Sequence, residues 1–190
     1  MTEPRKFWMR WRVRAGYPVA LLYLVLADPK PRWIPIGAVV AAIGLLIRGA
    51  SSGHLQKDRE LATSGPYAYT RNPLYLGSAF LAAGFALAGG SWSAGLLVVA
   101  YFGIFYYAVM RNEEQDLHRR FGAAFEAYAA RVPLFFPWFK AASARSSGGE
   151  LGRFSWAQYR RNREYKALIG AMAGGGVLFL RMWIRRRLGY

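Results

Sequence analysis

The sequence predicts an all-α fold, an integral membrane helical bundle of four transmembrane helices plus a partly inserted C-terminal helix, with five spans as the alternative. Of the 190 residues, 54% are hydrophobic, and they occur in long blocks that are nearly free of charge. A block of about 17–25 apolar residues is long enough to cross a bilayer as a helix. The charged residues, which give a net charge of +16, are concentrated between the blocks.

Four apolar blocks are the predicted spans, and short turns separate them. The third and fourth blocks are long enough on their own, whereas the first two qualify if they extend slightly or pack against neighbours. Pro29 and Pro31 break the chain after the first block, and Gly89–Ser91 makes a tight turn after the third. The blocks are Val13–Ala27, Trp33–Ile47, Leu74–Gly90 and Ser93–Met110.

The chain is predicted to divide into a transmembrane core (1–142), a linker (143–152) and a C-terminal part (153–190). The linker sequence SARSSGGELG is rich in small and polar residues, which is typical of flexible segments. The C-terminal part begins with a basic and aromatic stretch that is predicted to lie along the membrane interface. Its apolar run, Ala167–Leu180, has a length that is more typical of an interfacial or buried helix than of a span.

The basic residues predict contact with a membrane surface rather than with nucleic acid. Arg5–Arg14 adjoins the first span, and a second basic cluster extends from Arg111 to Lys166. Basic residues beside spans usually mark the cytoplasmic side and the anionic lipid there. We therefore expect a multi-pass protein with its N-terminus, and the polar segments 48–73 and 111–166, in the cytoplasm.

Residues that bind metal ions are scarce in this sequence. There is no cysteine, which excludes disulfides and thiolate metal sites. The histidines are His54 and His118 alone. No metal site is therefore predicted.

The stretch Ser64–Ser78, SGPYAYTRNPLYLGS, is predicted to be one wall of a ligand site. A Gly-Pro pair breaks the preceding helix, and Pro73 opens the third span as a first-turn proline. Asn72 is a candidate cap whose side chain would satisfy free helix amides. The free amides of a helix start, together with the guanidinium of Arg71, favour a carboxylate or phosphate ligand.

A second polar cluster, Arg111–Trp138, follows the fourth span. Its adjacent glutamates, Glu113 and Glu114, point about 100° apart on a helix, so only one of them easily faces inward. An inward acidic residue at a membrane boundary suggests function, although both glutamates could instead be solvated or paired with arginines. Arg111, Glu114 or Gln115, and His118 share one helix face by their spacing.

The two clusters together predict a zwitterionic, amino-acid-like ligand. A glutamate would hold the ammonium group of the ligand, and Arg71 would hold its carboxylate. The tyrosines of the first cluster offer faces for a purine or a sulfonium.

The residues from about Arg48 to Trp138 resemble the isoprenylcysteine carboxyl methyltransferase and phospholipid methyltransferase family of membrane enzymes. The resemblance lies in GHLQKDRELATSGPYAYTRNPLYLG, a hydrophobic hairpin, and then NEEQDLHRRFGAAFEAYAARVPLFFP. It implies transmembrane helices with a cytoplasmic pocket for S-adenosylmethionine, which leaves as S-adenosylhomocysteine. It also implies a lipophilic acceptor, either an isoprenylcysteine-like carboxylate or a phospholipid amine.

The resemblance further implies which residues form the site. The implied catalytic residues are Glu114, Glu113, His54 and Asn72, and Arg131 is implied to bind substrate. The implied cofactor-binding residues are Gly65, Pro66, Tyr67, Arg71, Asn72, Pro73, Tyr75, Gly77, Glu113 and Glu114. Where the family usually has Arg-His-Pro, this chain has Asn72 in place of the histidine. Asparagine keeps the hydrogen bonding but does not titrate, so the candidates for an acid/base role are Glu114, Glu113 or His54, the other histidine position of the family.

Two alternatives stand beside the methyltransferase. One is an NADPH-dependent membrane enzyme resembling the sterol reductases, which have a similar turn and a later acidic and basic stretch. The other is a catalytically silent membrane protein that binds lipid through its basic residues. The adjacent Glu113 and Glu114 favour the methyltransferase.

Overall fold

The computed structural model describes residues 3–56, 60–138 and 153–188. All regular elements in these ranges are helical, which confirms the predicted all-α class. The predicted linker 143–152 lies outside the described residues. The helices are α1 (Glu3–Leu26), α2 (Trp33–His54), α3 (Pro73–Ala88), α4 (Trp92–Phe121), α5 (Ala123–Ala129), α6 (Trp156–Arg161) and α7 (Tyr165–Leu188), and a 3-10 turn is formed by Gly65–Ala68.

The apolar helices form a membrane helical bundle, as predicted. Among the described residues, α2, α4 and α7 are long and apolar enough to cross a membrane. Two shorter apolar helical segments accompany them, Val13–Leu26 of α1 and the whole of α3. Because the 16 residues of α3 rise only about 24 Å, this helix is shorter than a typical hydrocarbon core of about 30 Å.

The bundle has two ends that differ in chemistry. The far end holds the turns between α1 and α2 and between α3 and α4, where the Asp28 N–H donates to the Gly89 carbonyl at 2.7 Å. The site end holds the 3-10 turn, the start of α3 and the end of α4. A buried apolar cluster near the far end joins α1, α3, α4 and α7, and it consists of Tyr23, Ala27, Ala88, Ala94 and Leu178.

The C-terminal helix α7 is longer than its apolar run predicts. It continues through the arginines after Ala167–Leu180, because arginine is a good helix former. The residue before its start, Glu164, lies at the site end beside Arg48, and Arg185 lies at the far end, 2.5 Å from Asp28. α7 therefore runs the length of the bundle, and it is among the described helices that are long and apolar enough to cross a membrane.

Four glycines bring α2 and α3 into direct backbone contact. Gly37 lies against Gly84, and Gly44 lies against Gly77, so the two helices are antiparallel. A Cβ added at any of the four would come within 3 Å of backbone atoms on the opposite helix. Small residues of this kind allow helices to approach closely in a membrane. The close contact fixes the start of α3, and therefore one wall of the candidate site, relative to α2.

Candidate active site

The two polar clusters of the sequence meet at the site end. The Arg71 N–H donates to the Pro133 carbonyl at 2.9 Å. The hydroxyl of Thr70, which is almost fully buried, donates to the Phe135 carbonyl at 2.9 Å. These hydrogen bonds attach the turn before α3 to the segment that follows α5.

Asn72 precedes α3, and Pro73 opens the helix as predicted. The predicted side-chain cap is wrong, because the Asn72 side chain makes no hydrogen bond to the amides of the helix start. Its Nδ2 instead donates to the Leu134 carbonyl at 3.0 Å. The Thr70 hydroxyl also contacts this carbonyl, at 3.3 Å. Asn72 therefore helps to attach the turn to the segment after α5.

Arg71 and Glu114 form the centre of the site. Nη1 of Arg71 lies 2.5 Å from Oε1 of Glu114, and the side chains are only 16% and 12% exposed. Arg111 contacts the other carboxylate oxygen, Oε2, through Nη1 at 2.9 Å. The guanidinium of Arg71 also lies 6.0 Å from the centroid of the Phe125 ring.

The Nε atom of Arg71 is buried and has no hydrogen-bond partner among the described residues. Buried donors are nearly always paired, so an unpaired one needs an explanation. The guanidinium has five N–H donors in a planar arrangement that suits a carboxylate or phosphate. This atom is therefore a candidate donor to a bound ligand.

A cleft of about 520 Å³ opens beside this ion pair. Its volume lies within the range of about 300–1,000 Å³ that is usual for small-molecule sites. Three arginines and one glutamate among its lining residues give it a net positive charge. The lining residues are Arg71, Arg111, Glu114, Gln115, His118, Arg119 and Phe125.

Glu113 has different neighbours from Glu114, as the angle between adjacent helical residues predicts. The Tyr75 hydroxyl donates to Oε1 of Glu113 at 2.8 Å. The Tyr75 ring also meets Tyr106 of α4 edge to face, with the ring centroids 5.6 Å apart. The two carboxylates therefore belong to separate surroundings, one lined by arginines and the other by tyrosines.

Tyr67 lies in the 3-10 turn and is buried. Its backbone carbonyl accepts a hydrogen bond from the Tyr128 hydroxyl at 2.7 Å. Burial raises the pKa of the Tyr67 hydroxyl well above its usual value, and Tyr128 and Glu113 raise it further. Burial likewise raises the pKa of Tyr128. Both hydroxyls are therefore neutral at physiological pH.

His54 ends α2 and lies against Gly65. Gly65 has a φ of +58°, which favours glycine, and a Cβ there would come 2.6 Å from the His54 ring. Pro66 follows it in the 3-10 turn. Nδ1 of His54 lies 2.8 Å from the Ala50 carbonyl oxygen, and because a carbonyl only accepts, Nδ1 is the donor; in a neutral imidazole Nε2 is then the acceptor. The His54 ring also meets the Phe154 ring edge to face, with the centroids 6.1 Å apart.

Of the site residues implied by the resemblance, only Arg71 and Glu114 line the cleft. Glu113 and Tyr75 contact each other outside this lining. The other implied residues that do not line it are His54, Gly65, Pro66, Tyr67, Asn72, Pro73, Gly77 and Arg131. Gly77 packs against α2. Arg131 is exposed, and its Nε donates to the Ala127 carbonyl at 3.0 Å.

Five lining residues are outside the set implied by the family resemblance. Arg111, Gln115 and His118 share a face of α4, as their spacing in the sequence predicts. Arg119 follows Gln115 by four residues and shares this face by the same spacing, whereas Phe125 lies on α5, beyond Gly122, where φ is +48°. Within the described ranges, no group of three or more His, Asp or Glu side chains is arranged to hold a metal ion.

Comparison with known proteins finds a family and several relatives. The sequence model of the phospholipid methyltransferase family matches residues 37–124. The chain is 31% identical over 138 residues to the nickel-cobalt-cadmium resistance protein NccN of Alcaligenes xylosoxydans xylosoxydans, which covers 67% of this chain and 62% of that protein. It is 29% identical over 136 residues to the cobalt-zinc-cadmium resistance protein CzcN of Cupriavidus metallidurans, with the same two coverages.

A third relative is a named methyltransferase. The chain is 30% identical over 127 residues to the protein-S-isoprenylcysteine O-methyltransferase of Schizosaccharomyces pombe, covering 64% of this chain and 54% of that enzyme. The chain thus spans less than two thirds of the length of these relatives. No solved structure matches.

Proposed function

We propose that this protein, whose residues 37–124 match the sequence model of the phospholipid methyltransferase family, is a membrane methyltransferase that uses S-adenosylmethionine and a lipophilic acceptor. The observation that carries the proposal is the buried pair of Arg71 and Glu114 at the cleft, with Nε of Arg71 still unpaired among the described residues. The similarity to an isoprenylcysteine methyltransferase also supports it.

The residues of the cleft fit a donor that carries an amino-acid group. S-adenosylmethionine, when bound, supplies a methyl group activated by a sulfonium. Arg71 would hold the carboxylate of the donor through its unpaired Nε, which is a charge-assisted hydrogen bond. Glu114 would hold the ammonium, because each carboxylate oxygen accepts more than the one contact that an arginine already makes.

The acceptor is proposed to be either an isoprenylcysteine-like carboxylate or a phospholipid amine, which approaches between the apolar helices. A carboxylate is already ionised at neutral pH and needs no base. An amine is protonated and needs a proton acceptor within reach. Glu113, whose carboxylate already accepts from Tyr75, is the candidate on the tyrosine side, and Nε2 of His54 is a second candidate. In both cases the protein contributes mainly by holding the reacting groups together and excluding water.

The proposed function is tested by binding and transfer measurements on the purified chain in detergent. Calorimetry is expected to show binding of S-adenosylhomocysteine and none of NADPH. Membranes that contain the protein are expected to incorporate labelled methyl into a lipid or lipidated acid, and chromatography of the product identifies the acceptor. Failure to bind S-adenosylhomocysteine contradicts the proposal, and NADPH binding favours the reductase alternative. Binding without transfer to any acceptor favours the silent lipid-binding protein.

We also propose that the site end faces the cytoplasm and that its basic residues contact anionic lipid there. Because the chain has no cysteine, single cysteines report sidedness without background. Arg160→Cys at the site end and Arg32→Cys at the far end both replace exposed residues. In intact cells an impermeant maleimide is expected to label Arg32→Cys, and Arg160→Cys only after lysis. Labelling of Arg160→Cys in intact cells would show that both the sidedness and the lipid contact are wrong.

A further inference from the structure

The segment 153–165 lies outside the residues that match the family, yet it packs against the site end. Nδ2 of Asn162 donates to the carbonyls of Ser52 and Leu55, at 2.9 Å and 3.0 Å. The last carbonyls of a helix have no partner within the helix, so Asn162 serves as a cap for α2. The C-terminal segment is thereby attached to the helix that carries His54.

Glu164 connects the same segment to the interior through Arg48 of α2. Nε of Arg48 lies 2.5 Å from Oε1 of Glu164, and the side chains are 22% and 10% exposed. Nη1 of Arg48 also donates to Oγ of Ser78 and to the Leu74 carbonyl, the latter at 3.4 Å. Both acceptors lie in the first turns of α3. One guanidinium therefore holds α2, the start of α3 and the residue before α7 together.

Tyr75 links this ion pair to the candidate site. It follows Leu74 directly in α3, and its hydroxyl donates to Glu113 at 2.8 Å. A change at Glu164 is therefore expected to reach Glu113 through the start of α3.

We propose that Glu164 is a positioning residue for methyl transfer, because its ion pair with Arg48 fixes the start of α3 and with it the hydrogen bond between Tyr75 and Glu113. The kinetic part of this inference rests on the proposed function. The C-terminal segment would then help to position residues of the candidate site, in addition to packing against the bundle.

A second ion pair of α7 provides a control at the opposite end of the bundle, with more exposed side chains, 41% and 48%. Arg185 lies 2.5 Å from Asp28 at the far end, the same distance as in the pair of Arg48 and Glu164. Asp28→Asn removes one charge from a pair that holds α7, as Glu164→Gln does, but at the opposite end of the bundle. General loosening of α7 affects both variants, whereas loss of positioning affects Glu164→Gln alone.

Glu164→Gln is expected to lower kcat by about tenfold through misplacement of the reacting groups, while the Kd of S-adenosylhomocysteine stays within about twofold. Asp28→Asn is expected to keep the wild-type kcat. Because loss of one partner of a buried ion pair can unfold a protein, Glu164→Asp, which keeps the carboxylate, serves as a second variant. It is expected to retain more kcat than Glu164→Gln, and equal losses in the two variants would overturn the proposal.

Hydrogen exchange tests the coupling without any activity. Backbone amides at the start of α3, in residues 73–80, are expected to exchange faster in Glu164→Gln than in the wild type or in Asp28→Asn. Unchanged exchange there, or a wild-type kcat in Glu164→Gln, would overturn the proposal. If the wild type neither binds S-adenosylhomocysteine nor transfers methyl, the proposed function fails, and the exchange measurement still decides whether Glu164 holds α3.

Discussion

Arg71→Ala is expected to raise the Kd of S-adenosylhomocysteine by about 30-fold or more, because removing one partner of the proposed buried charge pair between Arg71 and the ligand carboxylate costs about 2–5 kcal/mol. The substitution removes the proposed carboxylate donor and leaves Glu114, which is 12% exposed, without its shortest contact. Arg71→Lys is expected to recover little of the affinity, since lysine has a point charge and no equivalent of Nε. Calorimetry on detergent-purified protein measures both variants.

Two variants control this measurement. Arg160→Ala removes an exposed arginine from α6, also at the site end, and is expected to leave the Kd unchanged. Glu114→Gln keeps the size of the side chain but removes the proposed ammonium partner, so it is expected to weaken binding by about tenfold, which corresponds to about 1.4 kcal/mol. An Arg71→Ala protein that is folded and binds S-adenosylhomocysteine as the wild type does would place the cofactor outside this cleft.

Gly44→Ala is expected to lower the free energy of unfolding by about 3 kcal/mol, at the upper end of the cost of overpacking. The new Cβ would lie 2.5 Å from the Gly77 carbonyl oxygen, and the obstructing atom is backbone, which cannot rotate away. A small shift of α3 away from α2 would displace the start of α3 and the site. A larger shift would separate the two helices. Thermal or denaturant unfolding in detergent measures the change.

Gly103→Ala on α4 is the matched control, since a Cβ there meets nothing within 4 Å. Its effect is expected to stay within about 1 kcal/mol, the difference in helix propensity between the two residues. Equal effects of the two substitutions would show that α2 and α3 are not in backbone contact. The same contact accounts for Gly77 by packing, whereas the family resemblance implies that it binds cofactor.

The spans and the separation of Glu113 from Glu114 were predictable because they depend on local periodicity. Apolar blocks specify helices in lipid, and adjacent helical residues necessarily face different directions. The role of the Asn72 side chain was not predictable, because its partner, Leu134, lies 62 residues away in sequence. A helix cap is a local interaction that sequence can predict, whereas the Asn72 side chain binds a carbonyl in a distant segment instead.

The structure of the C-terminal part was likewise only partly predictable from local sequence. Hydropathy marks α7 only as far as Leu180, because the arginines that continue the helix are polar although they favour helix formation. Glu164 carries no local signal at all, since its partner Arg48 is 116 residues distant. Contacts between elements far apart in sequence become visible only when the bundle is assembled.

The two ion pairs of α7 also relate this helix to the thickness of the membrane. The 21 positions from Glu164 to Arg185 rise about 32 Å, close to the hydrocarbon thickness of about 30 Å. If α7 crosses a bilayer of that thickness, both pairs would lie at the level of the lipid headgroups, one in each leaflet. A markedly thicker bilayer would then draw at least one pair into hydrocarbon, and a thinner one would require α7 to tilt. The distance between the two ion pairs would thus make the fit of α7 sensitive to membrane thickness.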